Sequence, residues 1–63
     1  MERKLTLKVL RAINELNQEQ MAKRLGISRT YYNQIESHKR PLTSGVLLKI
    51  CREFGIGIDD LEY

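Results

Sequence analysis

Apolar residues recur along the chain three or four positions apart, and no stretch alternates apolar with polar residues as a strand would. The pattern predicts five short helices, at about residues 4–14, 18–25, 29–36, 44–54 and 58–62. An all-α fold therefore follows, a compact five-helix bundle in which residues 1–63 form a single domain. The residues predicted to face inward are Leu7, Leu10, Ile13, Met21, Ala22, Leu25, Ile27, Tyr32, Ile35, Leu47, Ile50, Cys51, Phe54, Ile58 and Leu61.

Local signals at the helix ends support these bounds. Gly26 and Gly55 stand where a helix ends in a left-handed residue, a conformation that glycine adopts without strain. Asn17 opens an N-x-x-Q capping box with Gln20. The residues predicted to cap helix N-termini are Asn17, Ser28, Thr43 and, more weakly, Gly57.

The stretch "GISRTYYNQIE" (residues 26–36) places two tyrosines side by side in the third helix. Adjacent helix positions point about 100° apart, so the two rings cannot share one role. Tyr32 stands three residues before Ile35, and this pair is predicted to seat the helix on the core. In the preceding helix, a small residue at Ala22 allows a close crossing, and positive φ at Gly26 allows a tight turn. Two helices joined by a tight turn are therefore expected over residues 18–36.

Charge and composition exclude several classes of protein. The 63 residues include a single cysteine and a single histidine, which exclude an internal disulfide and a four-ligand zinc site. The longest apolar run, at residues 46–48, is far too short to span a membrane, and no signal segment opens the chain.

Nine Lys and Arg against four acids give residues 1–40 a net charge of +5, whereas residues 41–63 carry −2. The basic half favours a polyanion as partner, nucleic acid being the commonest.

Residues 16–36 ("LNQEQMAKRLGISRTYYNQIE") and 47–61 ("LLKICREFGIGIDDL") resemble the Cro and phage-repressor type of helix-turn-helix regulator, the XRE-like family. The resemblance covers nearly the whole chain and implies a lambda-repressor-like DNA-binding domain. It also implies a recognition helix at residues 29–36 that lies in the major groove of DNA. A cytoplasmic protein of bacterial or phage origin would fit this family.

The resemblance assigns roles to the polar residues around that helix. The positions that match base-reading residues are Ser28, Arg29, Thr30, Gln34 and, as a weaker candidate, Asn33. Their chemistry agrees, because Arg can pair with guanine O6 and N7, and Gln can pair with adenine N6 and N7. The positions expected to hold phosphates are Arg11, Asn17, Gln18, Tyr31, Ser37, Lys39 and Arg40. For Tyr31 two alternatives stand open, a phosphate contact or packing beside Tyr32 without any ligand.

The chain departs from the family pattern at Glu15 and His38, where glycine is common. Near Glu15 the chain is expected to turn at Asn14, which tolerates the left-handed region. His38 is expected to make the exit turn of the third helix itself, at some cost in strain.

The resemblance implies a stand-alone transcriptional regulator that binds an inverted-repeat operator as a homodimer. The residues predicted to form the dimer interface are Leu42, Ile56, Ile58, Leu61 and Tyr63, although the same residues could simply close the core. The alternatives are a controller protein, an antitoxin of a two-gene module, or a helix-turn-helix module that bridges proteins or RNA. No enzymatic activity, cofactor, metal or small-molecule ligand is predicted.

Overall fold

The computed structural model describes residues 4–63. Within this range four α-helices follow one another: α1 (Leu7–Ile13), α2 (Gln18–Leu25), α3 (Arg29–Glu36) and α4 (Ser44–Phe54). A single 3-10 turn, Ile58–Asp60, follows α4. The all-helical fold and the predicted bounds of α2, α3 and α4 are thus confirmed, whereas the predicted fifth helix is wrong. Among the described residues, no helix has the length and apolar composition needed to cross a bilayer.

Both ends of the described chain differ from the prediction because they pair with each other. Leu5 forms an isolated parallel bridge with Leu61. The Leu5 amide donates to the Asp60 carbonyl over 2.8 Å, and the Glu62 amide donates to the Leu5 carbonyl over 2.7 Å. This pairing requires extended backbone at Leu5, so α1 begins at Leu7 rather than near residue 4. The Thr6 hydroxyl caps α1 by accepting from the Val9 amide over 3.1 Å.

All four helices end in a left-handed residue. Gly26 (φ 68°) and Gly55 (φ 64°) do so after α2 and α4, as predicted. After α1 and α3 the left-handed residues are Glu15 (φ 55°) and His38 (φ 63°). The prediction for His38 is therefore confirmed, but the expected turn at Asn14 is wrong. Asn14 has φ −91°, and the strain falls on Glu15 instead.

The strain at His38 leads to a prediction about stability. His38→Gly should raise the free energy of unfolding by about 0.5–1 kcal/mol, because relief of left-handed strain exceeds the entropy that glycine gains in the unfolded chain. Gly55→Ala is the matched control of opposite sign, since no described atom lies within 4 Å of the added Cβ and only the backbone is strained. Urea denaturation measures both variants. A destabilised His38→Gly variant would contradict the strain.

The core lies between the four helices and includes Leu61, near the end of the chain. Its buried side chains are Leu7, Leu10, Met21, Ala22, Leu25, Tyr32, Ile35, Leu47, Ile50 and Leu61. Two predicted core residues are exposed instead: Ile13 by 63% and Ile58 by 46%. The helix α1 ends at Ile13, and Leu16 beyond it packs against the core in its place. Ile58 stands in a 3-10 turn too short to bury all its side chains. Leu61 is 1% exposed and closes the core, which is the alternative that the sequence left open for it.

Candidate nucleic-acid interface

The first turn of α3 presents a row of exposed polar side chains. Ser28 caps the helix, its hydroxyl oxygen accepting from the Tyr31 amide over 3.1 Å. Ser28, Arg29 and Thr30 are all exposed. The Arg29 side chain makes no hydrogen bond or ion pair with any residue of the described range 4–63. In this bond the Ser28 hydroxyl is the acceptor, so its proton can still donate to a ligand.

The two tyrosines lie on different faces of α3, as predicted. Tyr32 is fully buried, and its hydroxyl donates to Glu36 Oε2 one turn further along. Burial, together with this hydrogen bond to a carboxylate, raises the pKa of Tyr32 well above its usual range. Tyr31 is half-buried, and the guanidinium carbon of Arg40 lies 5.8 Å from its ring centroid. The phosphate contact of Tyr31 stays a prediction.

Glu36 connects α3 to α1 through a bidentate ion pair. Arg11 Nε lies 3.0 Å from Glu36 Oε2, and Arg11 Nη2 lies 3.1 Å from Glu36 Oε1. A third donor of Arg11, Nη1, bonds the Leu16 carbonyl over 3.2 Å. Burial alone would raise the pKa of Glu36, but hydrogen bonds from Arg11, Tyr32 and Gln18 outweigh burial and lower it. These contacts give Arg11 a structural role in the free protein, and its phosphate contact stays a prediction.

Hydrogen bonds extend from this ion pair to the exposed side of α3. Gln18 Nε2 donates to Glu36 Oε1 over 3.4 Å, and Asn33 Nδ2 donates to Gln18 Oε1 over 3.1 Å. A carboxylate only accepts, so Glu36 fixes the orientation of the Gln18 amide, which in turn orients Asn33. The predicted capping box is confirmed, because Asn17 Oδ1 accepts from the Gln20 amide over 2.8 Å and the Gln20 side chain reciprocates.

The remaining candidates cluster at the end of α3. Gln34 is half-buried, whereas Ser37, Lys39 and Arg40 are exposed. Arg40 Nε donates to Gln34 Oε1 over 2.9 Å, and the Ser37 hydroxyl donates to the Asn33 carbonyl over 2.8 Å. The structure thus brings the predicted base-reading and phosphate residues of α3 and its exit loop to one region, with Gln18 beside them. Their contacts with DNA stay predictions.

The sequence-based predictions assigned no role to Glu36. The spacing of four residues from Tyr32 was visible in the sequence, but the partner Arg11 is 25 positions away and in another helix. Gln34 and Arg40 were each assigned a contact with DNA, whereas their hydrogen bond to each other was not predicted. Among the described residues, no group of His, Cys, Asp and Glu could hold a metal ion.

Comparison with known proteins agrees with this geometry. A family model described as helix-turn-helix matches residues 7–61. The chain is 40% identical over 55 residues to a propionyl-CoA carboxylase regulator of Cereibacter sphaeroides, covering 87% of this chain but only 12% of that protein. It is also 40% identical over 55 residues to an uncharacterized HTH-type transcriptional regulator of Methanocaldococcus jannaschii, covering 87% of this chain and 83% of that protein. No solved structure matches the chain significantly.

Proposed function

Because the chain belongs to the helix-turn-helix family, we propose that it is a sequence-specific DNA-binding transcriptional regulator that places α3 in the major groove of its operator. The observation that carries this proposal is the exposed first turn of α3. There Arg29 and Thr30 are solvent-facing, on a helix whose opposite face is anchored by Tyr32 and Ile35. Side chains that have no role in the core, and that are carried by a rigid helix, are suited to reading base edges.

The charge of the domain supports the same proposal. Residues 1–40, which include α2, α3 and the exit loop, hold the excess of positive charge, and residues 41–63 are net acidic. Lys39 lies three residues beyond the end of α3 and is exposed, so its ammonium group can reach the phosphates that flank the groove. The N-terminus of α2 has an exposed cap at Asn17, where free amide groups favour an anion.

Binding to DNA should therefore weaken steeply with salt, through the release of counterions. Lys39→Ala should lower the affinity for all duplexes about equally and reduce the slope of log K against log salt by about one. Fluorescence anisotropy with labelled duplexes between low and moderate salt measures both quantities. A Lys39→Ala variant with altered sequence preference and unchanged nonspecific affinity would show that this lysine does not contact phosphate.

We further propose that the protein binds an inverted repeat as a homodimer. One domain of this size makes few base contacts, and two copies double them. The apolar side chains that support an interface near the chain's last residues are Ile58 and Tyr63, which are exposed by 46% and 60%, and the half-buried Leu42 and Ile56. Leu42 and Tyr63 also line a groove of about 490 Å³ between the start of α1 and the loop after α3.

Ile58→Asp should shift a monomer–dimer equilibrium toward monomer without unfolding the domain, because Ile58 lies largely outside the core. Sedimentation measures the equilibrium, and circular dichroism checks the fold. Leu48→Asp is the matched control, since Leu48 is exposed to a similar extent, 48%, on α4 and outside the proposed interface. A protein that binds its best operator as one copy per duplex would refute the dimer.

A further inference from the structure

The side chain of Arg40 starts in the loop after α3 and turns back onto the helix. Arg40 Nε donates to Gln34 Oε1 over 2.9 Å. The guanidinium carbon also lies 5.8 Å from the centroid of the Tyr31 ring, within the range of a cation–π contact. Gln34 stands four residues after Thr30, so these two side chains leave α3 on the same face. The guanidinium of Arg40 therefore lies beside the base-reading candidates of α3.

The backbone of the exit turn holds Arg40 where its side chain can make this contact. The left-handed His38 closes a Schellman motif, and its amide donates to the Ile35 carbonyl over 3.2 Å. The Lys39 and Arg40 amides both donate to the Gln34 carbonyl, over 2.8 and 3.2 Å. The backbone and the side chain of Arg40 are thus both bonded to Gln34, which limits the conformations that the guanidinium can adopt.

The contact with Gln34 leaves most of the guanidinium donors of Arg40 available. A guanidinium has five N–H groups, and Nε supplies only the one that bonds Gln34. Neither Nη1 nor Nη2 of Arg40 donates to a residue of the described range 4–63. These two nitrogens lie in one plane and can donate together to a ligand that presents two neighbouring acceptors.

Guanine and phosphate both present such a pair of acceptors, guanine through O6 and N7 in the major groove. Adenine places the N6 amino donor beside N7, so the same two nitrogens would face one acceptor and one donor. A phosphate contact needs only positive charge near the backbone, whereas a bidentate base contact needs a guanidinium plane that is held in place. The bonds of Arg40 to α3 supply that support. The Lys39 side chain makes no hydrogen bond or ion pair within residues 4–63.

We infer that Arg40 reads a guanine base in the major groove and that Gln34 is its positioning residue. The inference rests on the proposed function, since it assumes that α3 lies in the groove. It changes the role of Arg40 from the predicted phosphate contact to a base contact, and Lys39 keeps the phosphate role. Gln34 retains its amide N–H groups and a second lone pair on Oε1, so it can also read a neighbouring base itself.

Selection of binding sites from random duplex DNA by wild type and by Arg40→Ala tests the inference. Wild type should select a G·C pair in each half-site at which Arg40→Ala shows no preference. Synthetic duplexes with G·C or A·T at that pair then measure affinity, and the preference for G·C should be roughly tenfold in wild type and absent in Arg40→Ala. Arg40→Lys should recover affinity for both duplexes but not the preference, because an ammonium group lacks the planar pair of donors.

Two further variants separate the roles of the neighbouring residues. Lys39→Ala removes a nearby charge and should weaken both duplexes equally while keeping the preference for G·C. Gln34→Ala removes the support of the guanidinium and should reduce that preference. The double variant Gln34→Ala/Arg40→Ala should lose no more preference at this pair than Arg40→Ala alone, because both residues act through one contact.

Three results would overturn the inference: an Arg40→Ala variant that weakens both duplexes equally, one that selects the wild-type consensus, or a preference for G·C that is unchanged in Gln34→Ala. Wild-type protein that selects no sequence at all would instead overturn the proposed function.

Discussion

Tyr32→Ala should lower the free energy of unfolding by roughly 3–5 kcal/mol, a large part of the stability of a small domain. Tyr32 is 0% exposed and is among the largest fully buried side chains of the core. Its removal leaves a cavity between α3 and the rest of the core, and it takes a hydrogen-bond donor from Glu36. Chemical denaturation measures the free energy, and thermal unfolding followed by circular dichroism gives an independent shift.

Two controls separate the contributions at this position. Tyr31→Ala should cost well under half as much, because Tyr31 is half-buried and lies against Arg40 rather than in the core. Tyr32→Phe keeps the ring and removes only the hydroxyl, so it should cost about 1–2 kcal/mol through the lost bond to Glu36. Comparable losses in Tyr31→Ala and Tyr32→Ala would show that the two rings are not on different faces.

Arg29→Ala should remove about 1–3 kcal/mol of discrimination at one base pair of each half-site, the value of a bidentate contact with guanine. Arg29 is the first residue of α3 and is exposed, so the fold should be unchanged. Affinities for the preferred operator and for operators with that base pair replaced measure the effect. The loss should be specific to that position, because the variant leaves the other base-reading candidates in place.

Arg29→Lys and Arg52→Ala are the matched controls for this prediction. Lysine keeps the charge but lacks the planar fork, so affinity should partly recover while discrimination does not. Arg52 is an exposed arginine on α4, away from the proposed interface, and its removal should lower affinity slightly and equally for every sequence. If Arg29→Ala behaved like Arg52→Ala, Arg29 would not be a base contact.

The sequence was sufficient to predict α2, α3 and α4 because both ends of these helices carry short-range signals. Asn17, Ser28 and Thr43 cap their N-termini, and the side chain of each accepts a backbone hydrogen bond three residues on. Gly26 and Gly55 end α2 and α4 in the left-handed conformation. That Tyr31 and Tyr32 lie on different faces of α3 followed from helix geometry alone.

Contacts between distant segments could not be predicted in the same way. The bridge between Leu5 and Leu61 makes α1 start later and ends the 3-10 turn at Asp60. The residues next to Leu5 and Leu61 in the sequence do not indicate this pairing. Ile13 and Ile58 have the composition of core residues, yet the elements that carry them end too early to bury them. The exposed positions of α3 followed from its periodicity. The pairs Arg11–Glu36 and Gln34–Arg40 depend on tertiary distance and on the exit turn at His38.

The most direct test of the proposed regulator is selection of binding sites from random duplex DNA, performed in parallel with wild type, Arg29→Ala and Gln34→Ala. Wild type should enrich an inverted repeat whose half-site centres lie about one helical turn, or roughly 34 Å, apart. Arg29→Ala should lose the preference at one base pair of each half-site, and Gln34→Ala should lose it at a different one. Consensus sequences unchanged in both variants, or no enriched sequence from wild type, would contradict the assignment of α3 as the reading helix. A module that bridges proteins or RNA would then be the better description of this domain.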